Sequence, residues 1–227
     1  MQKWAHLVIA QALFLAACGG GNNSTPTNPS PAPAPTNHSP VITGLNVNPV
    51  WGITTLTAHS FTSSATDEDG DALTYSWDIG GQSFPGSNVS VTLNNPDTTT
   101  YHATVTVRDS KGASANSSVD VTSVAMKGTF TGTMMGSPVT VSLTQYQGGL
   151  VMGTWQLPGF GYSGDVGPTG EPGKINPAGQ FELRFKVKQG RFVDFYYRGN
   201  ISPNGQQLTG TLQGSGFTGD YMALNKQ

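Results

Sequence analysis

Apolar and polar residues alternate along most of the chain beyond residue 40. The segment 73–79 (LTYSWDI) places apolar side chains at every second position, and the segment 103–107 (ATVTV) repeats the pattern. Successive side chains of a β-strand point to opposite faces, so this period of two predicts half-buried strands. No long stretch of the sequence places apolar residues at the 3.6-residue spacing of a helix. The sequence therefore predicts an all-β protein.

The first half of the pattern predicts about six or seven strands within residues 40–124. Further strands are predicted at 41–47, 54–59, 89–93 and 117–122, separated by turn residues. Short strands at this spacing around a central tryptophan are typical of two antiparallel sheets packed face to face. We therefore predict an immunoglobulin-like β-sandwich in residues 40–124.

The second half, residues 125–227, is predicted to form a meander of short hairpins. Seven strands are expected at 128–134, 139–146, 150–157, 180–188, 192–202, 207–213 and 217–224. Asn204-Gly205 is a strong hairpin-turn signal. An eighth strand within 160–176 would close the sheet into a small antiparallel up-and-down β-barrel, which removes exposed edges. This outline resembles the barrels of lipocalins and streptavidin.

The N-terminus has a different composition. Lys3 and the apolar run 7–17 are typical of an export signal, because the run is too short to cross a ~30 Å bilayer. Leu15-Ala16-Ala17-Cys18 resembles the bacterial lipobox. The resemblance implies that residues 1–17 are a signal peptide removed before Cys18, and that acyl chains including palmitate are attached to Cys18. Several acyl chains hold a protein firmly on a membrane.

Residues 18–39 are expected to be a disordered linker behind the lipidated Cys18. The tract has no charged residue and no large apolar side chain, and it is rich in Pro, Gly and Asn. It therefore cannot bury enough surface to fold. Gly19 stands where an aspartate favours inner-membrane retention in Gram-negative lipoproteins. The resemblance therefore implies an envelope protein of the outer membrane.

Charge divides the chain into the same two halves. Residues 40–122 hold eight acidic side chains against two basic ones, whereas residues 126–227 hold eight basic against five acidic. The formal net charge of −2 argues against a nucleic-acid partner, which requires a basic face. A single cysteine excludes internal disulfides and cysteine-rich metal sites.

Two segments of the first half carry a family resemblance. The runs DEDGDALTYSWD at 67–78 and YHATVTVRDSKG at 101–112 resemble PKD domains, immunoglobulin-like modules of bacterial surface proteins. The resemblance covers residues 40–122. It departs from the family pattern after Trp77-Asp78, where Ile79-Gly80-Gly81 replaces the usual turn sequence. The resemblance implies a spacer or interaction module.

The acidic run in the first half offers a possible calcium site. Asp67, Asp69 and Asp71 place alternating carboxylates in one loop, and Ca²⁺ prefers several oxygen ligands. An EF-hand is excluded, because the glycine falls at the wrong position and a strand follows. A solvated turn is the alternative interpretation. Calcium is the one cofactor that the sequence suggests.

Two groups of residues in the second half are candidate ligand contacts. Arg184, Lys186 and Lys188 alternate with apolar residues and form a basic stripe, which suits an acidic polysaccharide or anionic headgroups. A solvated outer face is the alternative. Trp155, Phe160 and Tyr162 flank a Gly-rich loop, where they would stack on a sugar, fill a barrel mouth or pack in the core.

The sequence lacks the usual signatures of catalysis. It has no Gly-x-Ser-x-Gly elbow, phosphate loop or zinc-type histidine pair. We therefore expect no enzyme, but a lipid-anchored binding or adhesion module for a glycan, lipid or envelope protein. A structural spacer or accessory subunit of an envelope assembly is the first alternative, and a polysaccharide-active enzyme is the second. A hollow barrel would favour ligand binding inside it.

Overall fold

The computed structural model describes residues 34–189 and 194–227. Residues Asn37–Gln227 form one compact unit. The predicted signal peptide, Cys18 and most of the predicted linker lie outside the described residues. Within the described ranges, no helix has the length and hydrophobicity needed to span a membrane.

The first part of the compact unit is the predicted sandwich. Its strands are β1 Val41–Asn48, β2 Trp51–Ile53, β3 Ala58–Thr66, β4 Leu73–Ile79, β5 Gln82–Pro85, β6 Asn88–Thr92, β7 Thr99–Asp109 and β8 Ser114–Val124. One sheet has the order β1-β3-β6 and the other β2-β8-β7-β4-β5. All neighbours are antiparallel except β2 and β8.

Trp77 lies at the centre of the sandwich core. It is fully buried, and its ring lies 5.5 Å from that of Phe61 in the opposite sheet. Val105 and Val107 of β7 are also fully buried, whereas Thr104 and Thr106 are half-buried on the other face. The period of two read from the sequence therefore selects the core, as predicted.

One predicted strand, 54–59, is wrong in its first four residues. Residues 54–57 form a turn in which Thr55 has a φ of 64°. Threonine hydroxyls replace strand pairing there: Thr57 Oγ1 accepts a hydrogen bond from the Ile53 amide, 2.8 Å, and Thr54 Oγ1 donates to the Asn95 carbonyl, 2.8 Å. Threonine favours strands by its branching but also bonds locally to the backbone, and here the second property prevails.

The second part of the unit is an antiparallel barrel. Its strands are β9 Gly128–Met134, β10 Ser137–Gln145, β11 Leu150–Leu157, β12 Tyr162–Val166, β13 Gly173–Ile175, β14 Gln180–Gln189, β15 Phe195–Ile201, β16 Gln207–Gly214 and β17 Phe217–Lys226. Short 3₁₀ turns lie at Gln147–Gly149 and Pro158–Phe160. The eighth strand predicted within 160–176 is present as β12 and β13.

The barrel closes because β9 pairs with both β10 and β17. β12 and β13 together occupy one position between β11 and β14, each pairing with both neighbours. The segment 167–172 between them forms a loop that is exposed at residues 169–171, and we call it the β12–β13 loop. Full closure leaves the sheet without a free edge.

The barrel interior is filled by side chains. Large buried residues include Phe130, Trp155, Leu157, Leu183, Phe185, Phe195, Tyr197 and Leu208. The rings of Phe185 and Phe195 lie 4.9 Å apart, and Tyr197 donates a hydrogen bond to the Met222 carbonyl, 2.9 Å. Burial raises the pKa of Tyr197, so its hydroxyl stays protonated. In the described part of the barrel, the interior is a packed core, and the hollow-barrel alternative is wrong.

The sandwich plugs one end of the barrel. Ile53 and Val124, both from sandwich strands, belong to the same buried cluster as the barrel core. Thr57 Oγ1 also donates a hydrogen bond to the Pro177 carbonyl of a barrel turn, 3.0 Å. The two sheet systems meet near the predicted boundary between residues 124 and 125, but their hydrophobic packing is continuous across it.

Candidate functional site

A groove runs over the outer face of the barrel across β13, β14 and β15. Strand register places Lys174 opposite Glu182, and Glu182 opposite Arg198, in one outward-facing row. On one side of this row, the groove has a volume of about 280 Å³ and reaches the β12–β13 loop. On the other side, it has a volume of about 550 Å³ and reaches the turn at Gly148. We call this feature the outer groove.

Arginines hold both carboxylates of the outer groove. Arg198 Nε donates to Glu182 Oε2 at 2.5 Å, and its Nη1 donates to Gln213 Oε1. Arg184 pairs with Glu171 of the β12–β13 loop and with Asp194 Oδ2, the latter at 2.7 Å. These charge-assisted hydrogen bonds link the β12–β13 loop to β14 through Arg184, and β15 to β14 through Arg198.

Tyr196 forms an aromatic wall of the outer groove. It is half-buried on the outer face of β15, next to the β12–β13 loop. The Arg198 guanidinium lies 5.1 Å from the centre of its ring, which is within the range of a cation–π contact. The groove therefore combines an aromatic ring with charged and hydrogen-bonding groups, a combination typical of sites for polar ligands.

The predicted basic stripe lies on the outer face of β14, as its alternation indicated. Most of its charge is already neutralised: Arg184 is paired as described, and Lys188 Nζ lies 2.8 Å from Asp165 Oδ1. Lys186 is exposed and forms no ion pair within the described residues. The stripe thus lines the groove only at Arg184; of its other two residues, Lys188 is paired and Lys186 is not.

The three predicted aromatic contacts separate into two environments. Trp155 is only 1% exposed, packs against Phe185 and Phe195, and donates a hydrogen bond to the Lys186 carbonyl, 3.3 Å. The prediction that it stacks on a ligand is corrected, because no face of the indole is open. Period two could not distinguish the two faces here, since Leu150 and Met152 on the outer face of β11 are apolar like Val151 and Trp155 on the inner face.

Phe160 and Tyr162 lie at the barrel end opposite the sandwich. Their rings are stacked with centres 5.9 Å apart and planes at 19°, and Phe160 is 43% exposed. Tyr162 packs against the barrel core. The pair thus covers part of the barrel mouth, one of the three arrangements that the sequence left open.

The acidic run forms a compact cluster on the sandwich. One carboxylate oxygen from each of Asp67, Asp69 and Asp71 lies within 4.8 Å of the others. Asp67 Oδ2 and Asp71 Oδ2 are buried without a hydrogen-bond partner. Asp71 Oδ1 lies 3.3 Å from Lys111 Nζ. Converging oxygens with unused lone pairs are compatible with a hard cation such as Ca²⁺.

Residues 37 and 38, predicted as linker, are bonded to the sandwich instead. The His38 amide donates to Asp69 Oδ2 at 2.7 Å, and its Nδ1 lies 3.1 Å from Asp69 Oδ1. Asn37 donates to Asp109 at 3.0 Å. The hydrogen bond to Asp69 raises the pKa of His38, with a further contribution from Glu68. The bonds from His38, first from its backbone, lower the pKa of Asp69.

Sequence reasoning missed the outer groove. Lys174, Tyr196 and Arg198 are not singled out in the sequence analysis. Alternation along β15 would have placed Tyr196 and Arg198 on the outer face. Their distance from Lys174 depends on the register of β13 with β14. Alternation within a single strand does not determine that register.

Comparison with known proteins supports the assignment of the first domain. Residues 37–124 match the PKD domain family. This confirms the resemblance drawn from residues 40–122 and extends it to Asn37 and His38. No curated protein matches the sequence.

Three solved structures are similar to parts of the chain. The PKD1 domain of Vibrio anguillarum Epp is 25% identical and covers 39% of this chain and 98% of its own, with a TM-score of 0.31. A carbohydrate-binding module of the β-sandwich superfamily is 17% identical over 84% of this chain and 86% of its own, with a TM-score of 0.37.

The third structure is SGBP-B of the Bacteroides ovatus mixed-linkage glucan utilization locus, in complex with a heptasaccharide. It is 13% identical, with a TM-score of 0.31. The match covers 84% of this chain but only 62% of that protein. These similarities assign no ligand to the present chain.

Proposed function

We propose that this chain, whose residues 37–124 form a PKD domain, is a non-enzymatic binding or adhesion module of the bacterial envelope. A lipid on Cys18 holds it to the membrane, by preference the outer membrane. The barrel makes contact with the ligand, and the PKD domain carries the barrel. The outer groove is the contact surface, and an extended glycan is the ligand class that suits it best.

The outer groove is the observation that carries this proposal. The barrel interior is filled by buried side chains, with Ile53 among them, so we place the ligand contact on the outer face of the barrel. The groove lies on a hydrogen-bonded sheet, where Tyr196 contacts Arg198 and ion pairs from Arg184 and Arg198 link neighbouring segments. A preorganised surface of this kind loses little conformational entropy on binding.

A polysaccharide-active enzyme is the second candidate, because Glu171 and Glu182 line the same part of the groove. Glycosidases use two carboxyl groups, one of them a proton donor. Here each carboxylate is held by an arginine, an arrangement typical of a structural ion pair. We therefore favour binding without turnover, and incubation of the protein with soluble polysaccharides should release no new reducing ends.

The proposal is tested by glycan binding with the full-length protein in detergent. Tyr196→Ala should weaken binding to the best glycan by roughly tenfold, because the aromatic wall is lost. The matched control is Tyr221→Ala, which removes a 69% exposed tyrosine outside the groove and should leave affinity unchanged. Circular dichroism should show that both variants are folded. Equal affinities for the folded variants would place the glycan contact away from Tyr196, and no glycan binding at all would favour a structural spacer.

A further inference from the structure

We propose that the ligand of the outer groove is an acidic polysaccharide whose sugar rings carry carboxylates, such as a polyuronate. The inference rests on the proposed function, since it assigns a ligand class to the same site. It follows from which charges in the groove are already paired and which are not.

Lys174 is the groove cation without a partner. It is exposed on β13, lines both sides of the central row, and forms no ion pair within the described residues. Glu182 lies opposite it in the strand register but is bonded to Arg198 instead. The ammonium is therefore available to a ligand, and it lies where the two halves of the groove meet.

The two carboxylates that line the groove are both paired with arginines. Glu182 is held by Arg198 and Glu171 by Arg184, so neither one balances Lys174. The five charged side chains that line the groove are three cations and two anions, and Lys174 is the cation left unpaired; Asp194, which pairs with Arg184 without lining the groove, brings the sum over all six to zero. An anionic group on the ligand forms an ion pair with the Lys174 ammonium, whereas a neutral glycan leaves the ammonium without a counter-charge.

The remaining surface suits a sugar chain rather than a small anion. On the far side of Lys174 the groove is bordered by Leu150, which is 38% exposed. On the near side it is bordered by Tyr196 and Pro172. Apolar borders on both sides of one cation match a polymer that alternates sugar faces with carboxylates.

The test compares two probes with one backbone. Affinity of the full-length protein is measured for polygalacturonate and for its fully methyl-esterified form, at low and high salt. The acidic polymer should bind at least tenfold more tightly at low salt, and the preference should shrink at high salt because exposed charges are screened within ~8 Å at physiological ionic strength.

Two matched lysine variants locate the effect. Lys174→Ala should reduce the preference for the acidic polymer to about twofold, while Lys186→Ala, which removes an equally unpaired outer lysine beyond the groove, should preserve it. Equal binding of both polymers, with loss in Tyr196→Ala, would overturn the carboxylate assignment but support the proposed function. Loss of preference in both lysine variants would show attraction by overall charge and would also overturn the assignment. Absence of binding to either polymer, together with a failed glycan screen, would contradict both proposals.

Discussion

The indole of Trp51, in the PKD domain, lies against Gly179 in a barrel turn. A Cβ atom at position 179 would lie 3.0 Å from Trp51 Cη2, closer than nearly all real contacts of this kind. Gly179 also has a φ of +79°, which side chains rarely adopt. The absence of a side chain therefore lets the two domains pack directly.

This contact predicts that Gly179→Ala destabilises the whole chain. Strain and the contact with Trp51 together should cost about 2–4 kcal/mol in the free energy of unfolding, measured by urea denaturation. The matched control is Gly136→Ala, with a φ of +75° but open space around it, which should cost only about 1 kcal/mol. Equal losses in the two variants would show that the junction tolerates a side chain.

The sequence predicts the core of each domain but not the junction between them. Alternation correctly selects Trp77 for the sandwich core and Phe185 for the barrel core, because one face of each strand is buried. The local sequence pattern does not distinguish Ile53 from residues of the sandwich core. Its place in the barrel core depends on contacts between segments far apart in the chain, which no local pattern records.

The site was less predictable than the fold. Outer-face residues such as Lys174 and Lys186 have the same local pattern, and only the pairing of strands shows which one lies in a groove. The acidic run is the opposite case. Its three aspartates are close in sequence and converge as expected, because a short loop restricts how far they can separate.

Calcium should stabilise the protein through Asp67, Asp69 and Asp71. Millimolar Ca²⁺ should raise the melting temperature relative to chelator, because a ligand that binds only the folded state stabilises it by about 2.7 kcal/mol at 100 times its Kd. Asp71→Asn should remove the effect, whereas Asp120→Asn, a carboxylate outside the cluster, should not. Superimposable melting curves with Ca²⁺ and chelator would identify the cluster as a solvated turn.

The contact between His38 and Asp69 predicts a pH dependence. Since the pKa of His38 is raised in the folded state, its stabilising contact is complete below the ordinary value of 6.5 and is lost as pH rises through the raised value. An NMR titration should therefore place the His38 midpoint above 6.5, and Asp69→Asn should lower it. A midpoint at or below 6.5 in the unaltered protein would show that the contact does not persist in solution.

The lipid anchor predicts the behaviour of Cys18. In cells fed radioactive palmitate, the protein should be labelled, and Cys18→Ser should abolish the label and leave the precursor uncleaved. Arrival of the unaltered protein in the outer-membrane fraction would support the proposed location. Labelling that persists in Cys18→Ser would contradict attachment at this residue.

The central claim, that the outer groove contacts the ligand, is tested most directly by mapping amide chemical shifts of the full-length protein in detergent during titration with oligogalacturonate. The account predicts that the largest changes fall at Lys174, Glu182, Tyr196 and Arg198, with the β12–β13 loop next. Changes confined to the PKD domain, or to the barrel end at Phe160, would contradict it.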